Sequence, residues 1–142
     1  PFGAPGAGAS TFASGNLACA AGVATLGLLE DGEVLEHGRR VGAQLLAGLQ
    51  ELQGRHEIIG DVRGRGMLLA LELVRDRTTK ERVSPGVARR LLLALARRGV
   101  LTAGAGPILR LTPPLVLTEA QAATGLAALD EALGEVEESI AG

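Results

Sequence analysis

Nearly every position from Leu17 to Leu29 is apolar or small, with Ala18, Ala20, Ala21, Gly22 and Ala24 set among Val23, Leu26 and Leu28. Such a run predicts a helix that is apolar on all sides and needs burial on all sides. Asn16 stands at its start as a cap. Asp31-Gly32 breaks the helix and restarts it. Val34, Val41, Leu45, Leu49 and Leu52 then recur at spacings of three, four or seven, so residues 33–53 read as an amphipathic helix. Gly54 follows in the position of a C-cap.

The pattern next shortens. Ile58–Ile59 and Met67–Val74 are strand material on either side of a bend at Gly64 and Gly66, where a Cβ would block a sharp turn or a close approach. Met67–Val74 is short, apolar and bounded by polar residues, as expected for a strand buried on both faces. Ser84-Pro85 is an N-cap followed by proline at the first helical position. That helix runs through Leu91, Leu92 and Leu95 to Arg97-Arg98, and Gly99 stops it. Val100–Thr102 reads as a short strand, Gly104–Pro107 as a turn and Ile108–Leu111 as another strand, closed off by Pro113-Pro114. Thr118-Glu119-Ala120-Gln121 has the form of a capping box. Behind it Ala122, Leu126, Leu129, Leu133, Val136 and Ile140 form one stripe of a final helix. The order of elements predicts an α+β fold, a small sheet of three to four strands covered by helices.

Composition narrows the chemistry. The length suits one domain with a real core, and a 46% hydrophobic content argues against disorder beyond the loop-like residues 1–9. A net charge of −2 gives no electrostatic reason to expect nucleic acid or an acidic membrane surface. Charges or glycines interrupt every apolar run before it could span a bilayer. A single cysteine forms no internal disulfide and fits a cytoplasmic setting. Cys19 itself reads as an inert core thiol, and His37 and His56, far apart and without a third ligand at metal spacing, read as surface side chains. No catalytic Ser-His-Asp set, metal cluster or phosphate loop is present. One lysine, Lys80, stands against thirteen arginines, and it sits in the charged stretch Arg75–Arg82.

Three phrases carry further information. They are Ser10-Thr11-Phe12-Ala13-Ser14-Gly15-Asn16-Leu17-Ala18-Cys19-Ala20, then Asp61-Val62-Arg63-Gly64-Arg65-Gly66-Met67 running into Leu68–Val74, then Leu109-Arg110-Leu111-Thr112-Pro113-Pro114-Leu115. In this order and spacing they resemble the C-terminal part of the class III aminotransferases, pyridoxal-phosphate enzymes that act on ornithine, acetylornithine, 4-aminobutyrate and similar amines. The resemblance covers nearly the whole chain from Ser10 onward. It implies a small C-terminal domain with an antiparallel sheet covered by helices. It also implies a division into a loop remnant with a phosphate-contact motif (1–15), a buried linking helix (16–30) and the small domain (31–142). A homo-oligomer acting on small amines and 2-oxo acids, without nucleic acid or membrane, follows from the same likeness.

Site residues carry over one by one. Ser10 and Thr11 match the hydroxyl residues that reach the cofactor phosphate of the neighbouring subunit; hydroxyls and free N–H groups near a helix start suit an anion. Here the chain departs from the family's usual Thr-Phe-small-Gly-Asn-Pro-Leu-Ala, with one extra small residue and no proline before Leu17. Arg110 matches an arginine that pairs with a glutamate of the large domain or with a substrate carboxylate, a task for its planar fork. Without the resemblance, Ser10 and Thr11 are loop residues before a cap and Arg110 is an edge-strand arginine facing water. Arg63 and Arg65 could form an anion nest, but their flanking glycines favour a solvated turn, and Glu72 reads as a carboxylate seeking an arginine. No catalytic or metal-binding residue is assigned. The Schiff base of the cofactor requires a buried, desolvated lysine, which Lys80 is not, so the chain alone is expected to be inactive. The rival readings are a non-catalytic α+β ligand-binding or regulatory module and a structural fragment associating through its apolar helix.

Overall fold

The computed structural model describes residues 15–141. Helix α1 spans Asn16–Glu30 and α2 spans Glu33–Arg55, with Gly32 at φ 80° between them. The strands are β1 (Ile59–Arg65), β2 (Leu68–Asp76), β3 (Glu81–Arg82), β4 (Ala103–Ala105) and β5 (Ile108–Leu111). Helix α3 covers Pro85–Arg97 and α4 covers Glu119–Ala141. The chain divides into two units, 1–36 and 37–142.

In the first unit, α1 has no buried residue: Leu17 is 86% exposed, and Val23, Leu26 and Leu28 are also open. Cys19 is exposed with them and is not the core thiol expected. The helix forms because small, good helix formers fill it, not because it packs on anything described.

The second unit holds the core. Its sheet is antiparallel in the order β1-β2-β5-β4, with β3 pairing the end of β2. The expected α+β architecture is present. Leu69, Leu71 and Leu73 of β2 and Leu109 of β5 share one cluster with Val41, Leu45, Leu49 and Leu52 of α2. Val87, Leu91 and Leu95 of α3 and Ala122, Leu129, Leu133 and Val136 of α4 complete it. The three helices therefore cover one face of the sheet, and their buried positions follow the helical stripes of the sequence. Ile140, placed on that stripe by its spacing, is 47% exposed.

Strand β2 corrects the expectation of burial on both faces. Leu69, Leu71 and Leu73 are buried, whereas Leu68 is 62% exposed and Ala70 and Glu72 are half-buried. The apolar run hid an alternation of period two because Leu68 and Ala70 are themselves apolar. The short strand expected at Val100–Thr102 lies three residues later, at Ala103–Ala105, where it ladders onto β5. Gly54 lies inside α2 rather than capping it. Pro85 does open α3, and Gly99 follows it at φ 78°. The capping box is formed: the Thr118 N–H donates to Gln121 Oε1 at 3.0 Å and the Gln121 N–H to Thr118 Oγ1 at 3.2 Å.

Two contacts lock the unit. At the first, α2 meets the β1–β2 turn so closely that a Cβ on Gly42 would lie 2.5 Å from the Gly66 carbonyl oxygen, and Gly66 itself turns at φ 57°. At the second, buried His56 lies between two carboxylates, Nδ1 donating to Glu137 Oε2 and Nε2 to Asp130 Oδ1, both at 2.7 Å. A carboxylate only accepts, so both ring nitrogens carry protons and the ring is an imidazolium. Burial pulls the His56 pKa down, but the hydrogen bonds to Glu137 and Asp130 more than reverse this and leave it above the ordinary value. His56 is thus a tie between the end of α2 and α4, not the surface side chain expected. His37 is also engaged, with Nε2 donating to the Leu117 carbonyl at 2.8 Å.

Two tests follow from these contacts. Gly42→Ala gains about 1 kcal/mol of helix propensity. It meets backbone that cannot move aside cheaply, an overpacking cost of about 1–3 kcal/mol. Urea unfolding should show a net loss, whereas Gly54→Ala, with open space around it, should stabilise; equal effects at both positions would refute the close contact. For His56, a pKa raised by folding contributes stability that is complete below the unfolded value, about 6.5, and is lost as pH rises through the folded one. Asp130, held below the usual carboxylate range first by its bond to His56, contributes in the opposite sense and is lost on acidification. Unfolding free energy should therefore fall as pH rises above the ordinary histidine range. That alkaline slope should flatten in His56→Gln.

Candidate functional site

The antiparallel register decides which residues share the face the helices leave open. Arg63 of β1 and Arg110 of β5 both stand opposite Ala70 of β2, one on each side. Opposed residues point to the same face of a sheet, so Arg63, Ala70 and Arg110 form one row. Asp61, Glu72 and Ile108 form the next row, and Arg65 stands opposite Leu68 on the other side of the Arg63 row. Since Leu69, Leu71 and Leu109 face the helices, these rows face away from them.

The charges on this face are unevenly matched. Arg63 Nη1 donates to Asp61 Oδ2 at 2.5 Å and to Glu72 Oε2 at 2.9 Å. Its pKa is raised, first by the bond to Asp61 and then by that to Glu72. Glu72 thus finds its arginine in Arg63, which is ion-paired rather than free in a solvated turn. Among the described residues, neither Arg65 nor Arg110 meets a carboxylate within salt-bridge distance. Arg110 is exposed, and β5 lies between β2 and β4 rather than at the sheet's edge.

The loop beyond Arg110 is fixed to α2. Gly38 packs so tightly under Leu115 that a Cβ there would lie 2.7 Å from Leu115 Cδ2. Leu117 is held by His37, and Glu119 by Arg40 at 2.8 Å. One end of α2 therefore anchors both the Gly66 turn and the segment that follows Arg110.

Ser10 and Thr11, the expected phosphate contacts, lie outside the described residues. Lys80 ends the exposed turn between β2 and β3 at φ 58°. That turn is closed by Asp76, whose Oδ1 accepts the Thr79 N–H at 2.7 Å. An exposed turn lysine is neither buried nor desolvated, so it does not suit a cofactor aldehyde. Among the described residues no cluster of His, Cys, Asp and Glu could hold a metal. A groove of about 530 Å³ beside Thr112–Pro114 is lined mainly by Leu, Pro and Ala, and its one charged side chain, Arg98, is engaged by Glu131 and Glu135.

The model of the family described as aminotransferase class-III matches residues 2–133. The chain belongs to the class III aminotransferases. It is 35% identical to a 5-aminovalerate aminotransferase of Pseudomonas aeruginosa over 94% of its own length and 32% of that protein's. It is 36% identical to a taurine–pyruvate aminotransferase of Bilophila wadsworthia, covering 91% of this chain and 30% of the relative. Among solved structures, an amine transaminase from an uncultivated Pseudomonas species in its PLP-bound form superposes with a TM-score of 0.79 at 38% identity, over 83% of this chain and 27% of that one. A Bacillus anthracis aminotransferase gives 0.78 at 32%, over 83% and 28%. The class III chain thus spans about a third of the length of the relatives it matches.

The sequence singled out Arg110 and read Arg65 as part of a solvated turn; the register places both on the open face. The signal for Arg65 was present in the Arg-Gly-Arg-Gly phrase, but its face depends on a register set by β2. If Lys80 is the solvated turn residue described, this class III chain mixed with pyridoxal phosphate and borohydride will carry no stoichiometric pyridoxyl adduct by mass spectrometry. A specific adduct at Lys80 with turnover would sink the assignment.

Proposed function

We propose that this chain is the C-terminal small domain of a pyridoxal-phosphate-dependent aminotransferase, which moves an amino group from an amine or amino acid donor to a 2-oxo acid. The observation that carries the reading, beside family membership, is Arg110: a guanidinium on the open sheet face without a carboxylate among the described residues. In an enclosed site such a group requires an anion, because burying it unpaired costs several kcal/mol, of order the ~3–5 kcal/mol of a broken buried pair. The names of the relatives fit this. 5-Aminovalerate, taurine and ethanolamine phosphate each join an amine to an anionic end, a carboxylate, a sulfonate and a phosphate.

The described residues offer nothing to hold the cofactor's aldehyde, so none of its covalent chemistry is assigned to them. Their part is to bind and orient. Arg110 holds the carboxylate of substrate or, between substrates, a carboxylate from the rest of the protein. Ser10 and Thr11 offer hydroxyls to the cofactor phosphate across a dimer interface. Helix α1, open on every side here, is covered in the whole protein by the remaining polypeptide and by a second copy. No helix among the described residues is long and apolar enough to cross a membrane. With a single cysteine and no net charge bias, the proposed setting is the cytoplasm.

The test is Arg110→Lys in the intact enzyme. Lysine keeps the charge and loses the bidentate fork. A loss of about 2–4 kcal/mol in transition-state stabilisation is expected, read as kcat/KM. The melting temperature should change little, since Leu109 and Leu111 keep the strand in place. Intact kinetics with a lowered melting temperature would make Arg110 a structural residue and remove the carrier of this reading.

A further inference from the structure

Among the described residues, the open face around Ala70 carries three arginines, of which Arg63 alone is neutralised. Arg63 is held by Asp61 and Glu72. Arg65 stands two residues along β1 from Arg63, and its partner Leu68 stands two residues along β2 from Ala70, so Arg65 shares the face of Arg110. Between the two free guanidinium groups lie Leu68, 62% exposed, and the small Ala70. Two ladder spacings and two residues along the strand separate their Cα atoms, about 12 Å by standard sheet dimensions. Two long, flexible arms can close that separation. The surface is then cationic at both ends with a short apolar floor, which is the complement of a short-chain dicarboxylate: an anion at each end and methylenes between.

The placement of Arg65 is not that of a loose loop. The next residue, Gly66, turns at φ 57° with its carbonyl packed against Gly42 of α2. The same helix end holds Leu115 and Leu117, beyond Arg110. Both arginines therefore hang from strands fixed to one helix, so the distance between their backbones is set by the fold and not by a ligand. Preorganisation of this kind lowers the entropic cost of binding.

We infer that Arg65 is a second anion-recognising side chain, which with Arg110 selects substrates bearing two carboxylates over those bearing one. The inference rests on Arg110 facing the substrate, as proposed above, and adds the substrate class. Arg65 discriminates by its charge-assisted hydrogen bonds to the far carboxylate. A ligand lacking that group leaves Arg65 solvated and gains nothing from it.

The experiment is titration calorimetry on the intact polypeptide with glutarate as the two-headed probe and butyrate as the one-headed probe. Arg65→Gln should weaken glutarate about tenfold or more and leave butyrate unchanged. Arg65→Lys should recover part of the loss, and Arg110→Gln should weaken both probes. The inference is overturned if wild type does not bind glutarate, if Arg65→Gln leaves glutarate unaffected, or if it weakens both probes equally, as a long-range charge effect would. An unaffected glutarate affinity together with a lower melting temperature would mean that Arg65 pairs with a carboxylate of the remaining polypeptide. Failure of the aminotransferase reading is seen separately, as absence of amino transfer by the wild-type enzyme with any amine donor.

Discussion

The pleat of β2 sorts the chemistry of the domain. A strand sends alternate side chains to opposite faces, so Leu69, Leu71 and Leu73 can enter the core only if Leu68, Ala70 and Glu72 leave it. The neighbours in the ladder inherit the choice: Val62 and Leu109 face the helices, while Arg63 and Arg110 face away. A slip of one residue would push arginines into a leucine core and leucines into water. The hydrophobic effect that builds the helix-covered side thereby fixes the register, and the register places the arginines together. The grouping of charges on this face is a by-product of packing on the other.

The same logic explains why α2 is built with glycines at Gly38 and Gly42. A helix normally loses about 1 kcal/mol for each interior glycine. Here the two lie one helical turn apart on one side, under Leu115 and Gly66. They let the helix axis approach the turn before β2 and the segment after β5, the two places where the arginine-bearing strands end. The polar ties along the same helix, His37 to Leu117 and His56 to Asp130 and Glu137, join it to segments more than seventy residues away. Helix α2, with His56 just beyond it, is thus the frame to which the ends of both arginine-bearing strands and both ends of α4 are attached.

Much of this was legible in the sequence where the information is periodic and local. The stripes of α2, α3 and α4 are read directly from leucine spacing, and the capping box at Thr118 and Gln121 formed as written. Arg110 stood out as an arginine between two leucines, but the role proposed for it came from the family resemblance. What could not be read depended on partners distant in the chain. His56 looked isolated because its carboxylates lie 74 and 81 residues on. The alternation in β2 was concealed by apolar residues on its open side. The place of β4 was missed because Ala103–Ala105 has no strand signature of its own and is a strand only by pairing with β5. Ser10 and Thr11 fall outside the described residues, so their role rests on the sequence.

The open side of β2 also bears on how a chain about a third the length of its relatives closes its own core. Its core closes: the cluster from Val41 to Val136 draws on three helices and the sheet without help. Its surface does not close in the same sense. An exposed Leu68 beside uncompensated arginines, and a separate helix with leucines on every side, are tolerable in water but not optimal there. Single exposed apolar residues are ordinary on a soluble protein, whereas a fully apolar helix lacks a polar side to present to solvent. The arginines bear on the other half of the problem. Any polypeptide that buries Arg110 must desolvate its guanidinium, a cost recovered only when a carboxylate arrives with it. A surface that combines an exposed leucine with guanidinium groups lacking a carboxylate reaches a lower free energy when apolar burial and an anion come together.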